Sequence, residues 1–262
     1  MAQEFSGKVV VVSGASRGIG RSIALAFAKE GAQTTIAASS AERLADAAKS
    51  IGQAGGPQPM TVAADLRTLA GCQQVFNSVK ERFGRCDILV NSAGATKAGN
   101  FVDLTDEDWL DGYALKFFGC VRLCRLFWPM LKDAKGTVIN IDGGAARTPG
   151  ADFTIGGSVN AAMANFSKAL SKLGLKDDVN VNVIHPGMTE TERTTTLFQQ
   201  RAAASGKSPD ELRKEAIARN GLRRLGTPEE IAALTLFLCS PIARHIQGTA
   251  ISVDGGGTPG VY

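Results

Sequence analysis

Apolar positions follow two alternating rhythms along this chain. Short unbroken runs rich in β-branched residues, "KVVVVSG", "QTTIAA", "MTVAADL", "CDILVNSAG", "GTVINIDGG", "VNVNVIHPG" and "TAISVDGGG", recur from one end to the other. Between them lie stretches whose apolar residues return every three or four positions, as in "GRSIALAFAKEGA", "SAERLADAAKSIG" and "TPEEIAALTLFLCS". The unbroken runs predict strands covered on both faces, and the slower rhythm predicts amphipathic helices. Further helices are expected from about Thr68 to Phe83, from about Thr105 to Leu131, and through "FTIGGSVNAAMANFSKALSKL", which begins at Phe153. Regular strand–helix alternation predicts an α/β fold, a doubly wound parallel sheet with helices on both faces. With no repeat, linker or low-complexity break, residues 1–262 read as a single domain. The polar stretch from Thr189 to Leu225 predicts short, mobile helices.

Composition narrows the function classes. A net charge of +4 is spread without any Lys/Arg tract, so no nucleic-acid partner is expected. Five cysteines lack metal-ligand spacing and only two histidines occur, which argues against a metal site; Cys120 and Cys124 read as reduced packing residues. No apolar run is long enough to span a bilayer, so no membrane association is expected. The start, "MAQEFSGKVVVV", has no secretory signal pattern, and a cytoplasmic location is the expectation.

The 30 glycines are concentrated where chemistry is expected. "SGASRGIG" places Gly14, Gly18 and Gly20 between a strand and a helix. In that context the first glycine permits the turn, the second lets backbone approach a diphosphate, and the third lets the helix pack on the sheet. The helix N-terminus then offers unpaired N–H groups to the phosphates.

The Gly-x-x-x-Gly-x-Gly spacing, with "NSAG" at Asn91 to Gly94, "AADL" with Asp65, "HPG" at His185 to Gly187 and "RLGTPEEIA…FLCS…GTAISVDGG", resembles the short-chain dehydrogenase/reductase family over essentially the whole chain. The resemblance implies a Rossmann fold, a nicotinamide dinucleotide and oxidation or reduction of a small-molecule substrate. Gly14, Ser16, Arg17, Gly18, Ile19 and Gly20 would line the phosphates, and Asp65 with Leu66 would meet the adenine. Asn91, Ala93 and Gly94 would border a ribose, and Pro186, Gly187 and Thr191 the nicotinamide. Ser13 stands where a threonine is usual and keeps the hydroxyl. At the end of the second strand, Ala38 and Ser39 replace the acid that would bond a ribose 2′-hydroxyl, and Arg17 could pair with a 2′-phosphate, so NADP(H) is favoured over NAD(H).

The same resemblance exposes four departures in the family's proton machinery. Its serine falls on Gly143, its tyrosine on Gly156, its lysine on Asn160 and its asparagine on Lys116. Only Tyr113 and Tyr262 remain as phenols, and neither lies near the helix that should carry one. Lysine and asparagine have changed places, so Lys116 could enter the emptied volume and carry the proton, with Asn160 bonding a ribose hydroxyl; a lysine that merely reaches solvent beside a silent site is the other reading. Asp142 is a second polar candidate or a cap for the next turn, and His185 reads as structural. Gly143, Gly144, Gly156 and Gly157 predict a wide pocket lined by backbone. Two functions stay open: an NADP(H)-dependent oxidoreductase with non-standard proton delivery, acting on a carbonyl, alcohol or conjugated substrate, or an inactive dinucleotide-binding sensor, scaffold or partner subunit. The family resemblance also implies a homotetramer, with a dimer as runner-up. Phe117, Phe118, Leu126, Met163 and Phe166 supply apolar helix faces for that assembly.

Overall fold

The computed structural model describes residues 3–259; Tyr262 lies outside the described residues. Seven parallel strands form one sheet in the order β3-β2-β1-β4-β5-β6-β7. They are β1 (Val9–Ser13), β2 (Gln33–Ala38), β3 (Met60–Ala63), β4 (Ile88–Asn91), β5 (Thr137–Ile141), β6 (Asn180–Pro186) and β7 (Ala250–Val253). The helices between them are α1 (Gly18–Lys29), α2 (Ala41–Gln53), α3 (Leu69–Phe83), α4 (Asp106–Gly112), α5 (Gly119–Ala134), α6 (Thr154–Asp177), α7 (Glu192–Ser205), α8 (Pro209–Arg219) and α9 (Pro228–Cys239). The fold is thus the single-domain α/β Rossmann arrangement that the alternation predicts.

The unbroken apolar runs follow from burial on both faces. In β1, Val10 and Val12 join Phe27 of α1, Leu44 of α2 and Ile231 of α9 in one core layer. Val9 and Val11 face the other layer, with Val75 of α3, Phe127 of α5 and Met163 of α6. Because successive strand side chains alternate, a strand covered twice has no polar position to spare. Met163, expected on an assembly face, is 1% exposed inside this core. Phe117, Leu126 and Phe166 also pack on it, whereas Phe118 remains 46% exposed.

Helix starts follow the sequence's own capping signals. Thr105 with Asp108 and Ser208 with Glu211 form reciprocal caps on α4 and α8, and at the start of α9 Glu230 accepts the Thr227 amide. The long helix expected from Thr105 to Leu131 is divided: Tyr113–Phe118 winds as a π-helix between α4 and α5. Such a segment changes the angular register, so the residues on either side share no single helical stripe. Lys116 sits in this stretch. The segment from Thr189 to Leu225 holds α7 and α8, which pack through Phe198, Ala216 and Leu225 in a small core of their own.

Strand order reverses between β1 and β4, the neighbours at the centre of the sheet. In doubly wound folds the crevice beyond the strands' carboxyl ends at this point receives the ligand. No helix among the described residues is long and apolar enough to cross a membrane.

Candidate active site

A cavity of about 790 Å³ opens at that reversal, lined by the loops after β1, β2, β3, β4, β5 and β6 and by α7. Its floor is the turn after β1. Gly14 has φ +68°, and a Cβ there would lie 2.6 Å from the Ala93 Cα. A Cβ on Gly20 would lie 2.5 Å from the Gly14 carbonyl oxygen, so α1 can approach the turn only because both residues lack side chains. Buried Ser13 accepts hydrogen bonds from the Ser92 and Ala93 amides at 3.2 and 3.3 Å, fastening the turn to the loop after β4. This is a role for the hydroxyl retained in place of threonine.

Helix α1 begins without a side-chain cap at Arg17 and without an acid in its first turn. Its N-terminal N–H groups and positive end are therefore available to a diphosphate, and the cradle fits one. At the adjoining end, Ala38, Ser39, Ser40, Arg43 and Arg17 line the cleft. Asp65 also lines it, but its carboxylate is engaged by the Arg67 amide at 3.0 Å and guanidinium at 3.4 Å. The end of β2 thus presents hydroxyl groups, with arginines near, where a 2′-phosphate would be placed.

The opposite end is built around Lys116. Its ammonium donates to Asn160 Oδ1 at 2.6 Å and to the Asp142 carbonyl oxygen at 3.2 Å. The stem runs over Gly94, where a Cβ would come within 2.9 Å of the lysine Cδ. Burial lowers the Lys116 pKa to about 8, the Asp142 charge partly opposing it and the Arg193 charge adding to it. An ammonium has three donors, and two are used here, so the third proton is left for a ligand in the cleft that Lys116 lines.

Behind it, Asp142 and His185 are buried and meet at 3.2 Å, Oδ1 to Nδ1. The same Asp142 oxygen accepts the Gly143 amide, so the carboxylate caps the turn after β5. Asp142 Oδ2 and His185 Nε2 have no hydrogen-bond partner among the described residues.

Beside it, Phe153 fills the space next to Gly156. A Cβ on Gly156 would stand 2.0 Å from the Phe153 Cζ and 2.1 Å from Cε1. On Gly143 it would stand 2.7 Å from the Asn160 amide nitrogen. Of the four glycines expected to line a wide pocket, Gly143 and Gly144 line the cavity, whereas Gly156 and Gly157 do not, and Phe153 takes the space beside Gly156.

Residues 14–258 match the family model described as enoyl-(acyl carrier protein) reductase. An uncharacterised oxidoreductase of Mycobacterium tuberculosis is 34% identical over 251 residues, covering 95% of this chain and 91% of that protein. L-Sorbose reductase from Gluconobacter frateurii, solved with NADPH and L-sorbose, superposes with a TM-score of 0.95 at 33% identity, with 100% of both chains covered. Actinorhodin polyketide ketoreductase, solved with NADPH, gives a TM-score of 0.93 at 27% identity, covering 99% of this chain and 100% of that one. The chain is a short-chain dehydrogenase/reductase.

Like its relatives, this dehydrogenase/reductase is an oxidoreductase. Most residues singled out in its sequence line one cleft. Gly14, Ser16, Arg17, Gly18, Ile19 and Gly20 form the first wall, and Ser39, Asp65 and Leu66 the second. Ala93, Gly94, Lys116, Gly143 and Asn160 meet Pro186, Gly187 and Thr191 at the far end. Asn91 does not line it. Its side chain is buried, donating to Asn140 Oδ1 at 2.8 Å, and so ties β4 to β5. Nor does Gly156 reach the cavity, because Phe153 stands in front of it. Tyr113 stacks edge-on with Phe117, their ring centres 6.1 Å apart, and is outside the cavity lining.

Among the further residues that line the cleft of this dehydrogenase/reductase are Arg43, Phe153 and Arg193, which no sequence motif singles out. Phe153 carried a faint signal, an aromatic one residue before a helix whose first turn holds two glycines. Arg43 lies one helical turn past Ser39. Arg193, two residues after Thr191, sits in a polar segment with no local pattern to mark it.

Proposed function

We propose that this dehydrogenase/reductase uses NADP(H) to interconvert a small carbonyl compound and its alcohol, with Lys116 carrying the proton. The observation that carries this reading is the ammonium bound to Asn160 Oδ1 and the Asp142 carbonyl, with one proton to spare and an affinity for protons near the working pH. A bound nicotinamide supplies or accepts the hydride. The open α1 N-terminus and the glycine turn would hold the diphosphate, while Ser39, Arg17 and Arg43 would receive a 2′-phosphate.

In the reducing direction, Lys116 would give a proton to the carbonyl oxygen of a substrate held in the cleft. The neutral amine that results recovers its proton from solvent. Asn160 and the Asp142 carbonyl fix the ammonium's direction throughout, and desolvation makes it a better acid than an exposed lysine. Gly143, Gly156, Asn160 and Lys116 then mark the places where this chain departs from the family's serine, tyrosine, lysine and asparagine. Phe153 beside Gly156 supports a second reading, a dinucleotide-binding subunit without turnover, because it closes the place from which a phenol would act.

Titration with NADPH followed by a panel of aldehydes, ketones, quinones and enones separates the two. Oxidation of NADPH that disappears in Lys116→Ala is the expected result. Binding without oxidation across the panel supports the second reading, and turnover untouched by Lys116→Ala removes lysine from the mechanism. The segment from Thr189 to Leu225, with α7 and α8, is proposed to move over the bound substrate.

A further inference from the structure

The start of α7 rests directly on the start of α1. A Cβ on Gly18 would lie 3.5 Å from the Thr191 Cγ2, and Thr191 caps α7 by accepting the Thr194 amide. One residue into α7, Arg193 reaches back across the cleft. Its guanidinium donates to the Gly94 carbonyl and the Thr96 carbonyl, both at 3.5 Å, on the loop after β4. Those are long contacts, at the outer limit for a hydrogen bond.

The charge that acts on this guanidinium, that of Arg17, is of its own sign. Arg17 at the α1 N-cap and the lost hydration of Arg193 itself both depress its basicity, and its charge in turn depresses that of Lys116. Among the described residues no carboxylate forms an ion pair with Arg193. Arg17, Arg193 and the α1 N-terminus line one cleft, with Glu192 as the adjoining acid in that lining and unpaired with Arg193, and together they form a site for a multivalent anion lying between α1 and the loop after β4.

We infer that Arg193 is a positioning residue that closes over the dinucleotide's diphosphate, giving up the Gly94 and Thr96 carbonyls for phosphate oxygens. Residues of α7 and α8 are thereby drawn down when the cleft is filled, so cofactor occupancy and closure of the covering segment are one event. The inference rests on the cofactor reading above and extends it to a residue that no glycine-loop motif contains.

Two probes separate the diphosphate from the rest of the cofactor: NADPH, and adenosine 2′-monophosphate, which has the 2′-phosphate but no phosphate at the 5′ end. Arg193→Ala is expected to weaken NADPH by about tenfold or more, read from nicotinamide fluorescence, and to leave the affinity for adenosine 2′-monophosphate unchanged. Arg193→Lys recovers part of the loss, since it restores charge without the planar fork. Hydrogen exchange across 189–225 should slow when NADPH binds the parent protein and not when it binds Arg193→Ala. Equal NADPH affinity in parent and Arg193→Ala, or an equal loss for both probes, overturns the role of Arg193 alone. Failure of the parent protein to bind either probe overturns the cofactor reading, and this inference with it.

Discussion

Phe153 points its ring at the α-carbon of Gly156, with Cζ 2.0 Å from where any Cβ at that position would stand. The two residues are one arrangement: the aromatic ring occupies the side-chain space of the helix's first turn, and the glycine is what lets it in. Packing this close leaves no room for an added side chain.

The first prediction follows directly. Gly156→Tyr, the substitution that would restore the family's phenol, is expected to lower stability by roughly 1–3 kcal/mol through overpacking. It should add no activity. Combined with Phe153→Ala it should regain most of the lost thermal stability and raise NADPH oxidation. Thermal melts of the three proteins check this, and a single variant as stable as the parent would show that the ring moves aside freely.

Lys116 sets the second. Its pKa is lowered to about 8, so the ammonium persists below that pH and is lost above it. Carbonyl reduction, which consumes its proton, is expected to be flat below about pH 8 and to fall roughly tenfold per unit above. Alcohol oxidation, which needs the free amine, should rise through the same range and then level. Lys116→Arg stays charged throughout and should remove the limb from both profiles, measured as kcat/KM against pH.

Asn160 offers an independent handle on the same group. Its Oδ1 lies 2.6 Å from the ammonium as a neutral acceptor. Asn160→Asp places a negative charge there, which favours the ammonium and moves the limb to higher pH by about one unit or more. A limb that stays in place would mean that the titrating group is not Lys116.

The fourth concerns cofactor choice at the end of β2, where Ala38 and Ser39 line the cleft near Arg43. Ala38→Asp puts a carboxylate against a 2′-phosphate and offers it to a ribose hydroxyl instead. The preference for NADPH over NADH is expected to fall by about tenfold or more, because like charges so placed cost several kcal/mol. Paired kcat/KM values for the two cofactors test it; an unchanged ratio would place the 2′-position elsewhere.

Local rules carried much of this protein's description. Val9 to Val12 could only be a strand covered twice, since four adjacent apolar residues on a pleat face both ways. The glycines of "SGASRGIG" announced a turn between strand and helix, and the apolar rhythm of "TPEEIAALTLFLCS" announced a helix. Such features depend on neighbours within a turn or two, so they can be read along the chain. That Lys116 and Asn160 face one crevice was legible from family spacing, but the hydrogen bond between them was not.

What the sequence determined by itself was the alternation of strands and helices, the parallel sheet and the turn that can hold a diphosphate. Tertiary structure alone decided which side chains fill the space at the far end of the cleft. Phe153 covers Gly156, Asn91 turns away to bond Asn140, and Arg193 crosses from α7 to the loop after β4. The physical reason is distance along the chain. Asn140 lies 49 positions from Asn91, and Gly94 lies 99 from Arg193. Contacts of that span are set by how layers pack, not by the preferences of any single segment.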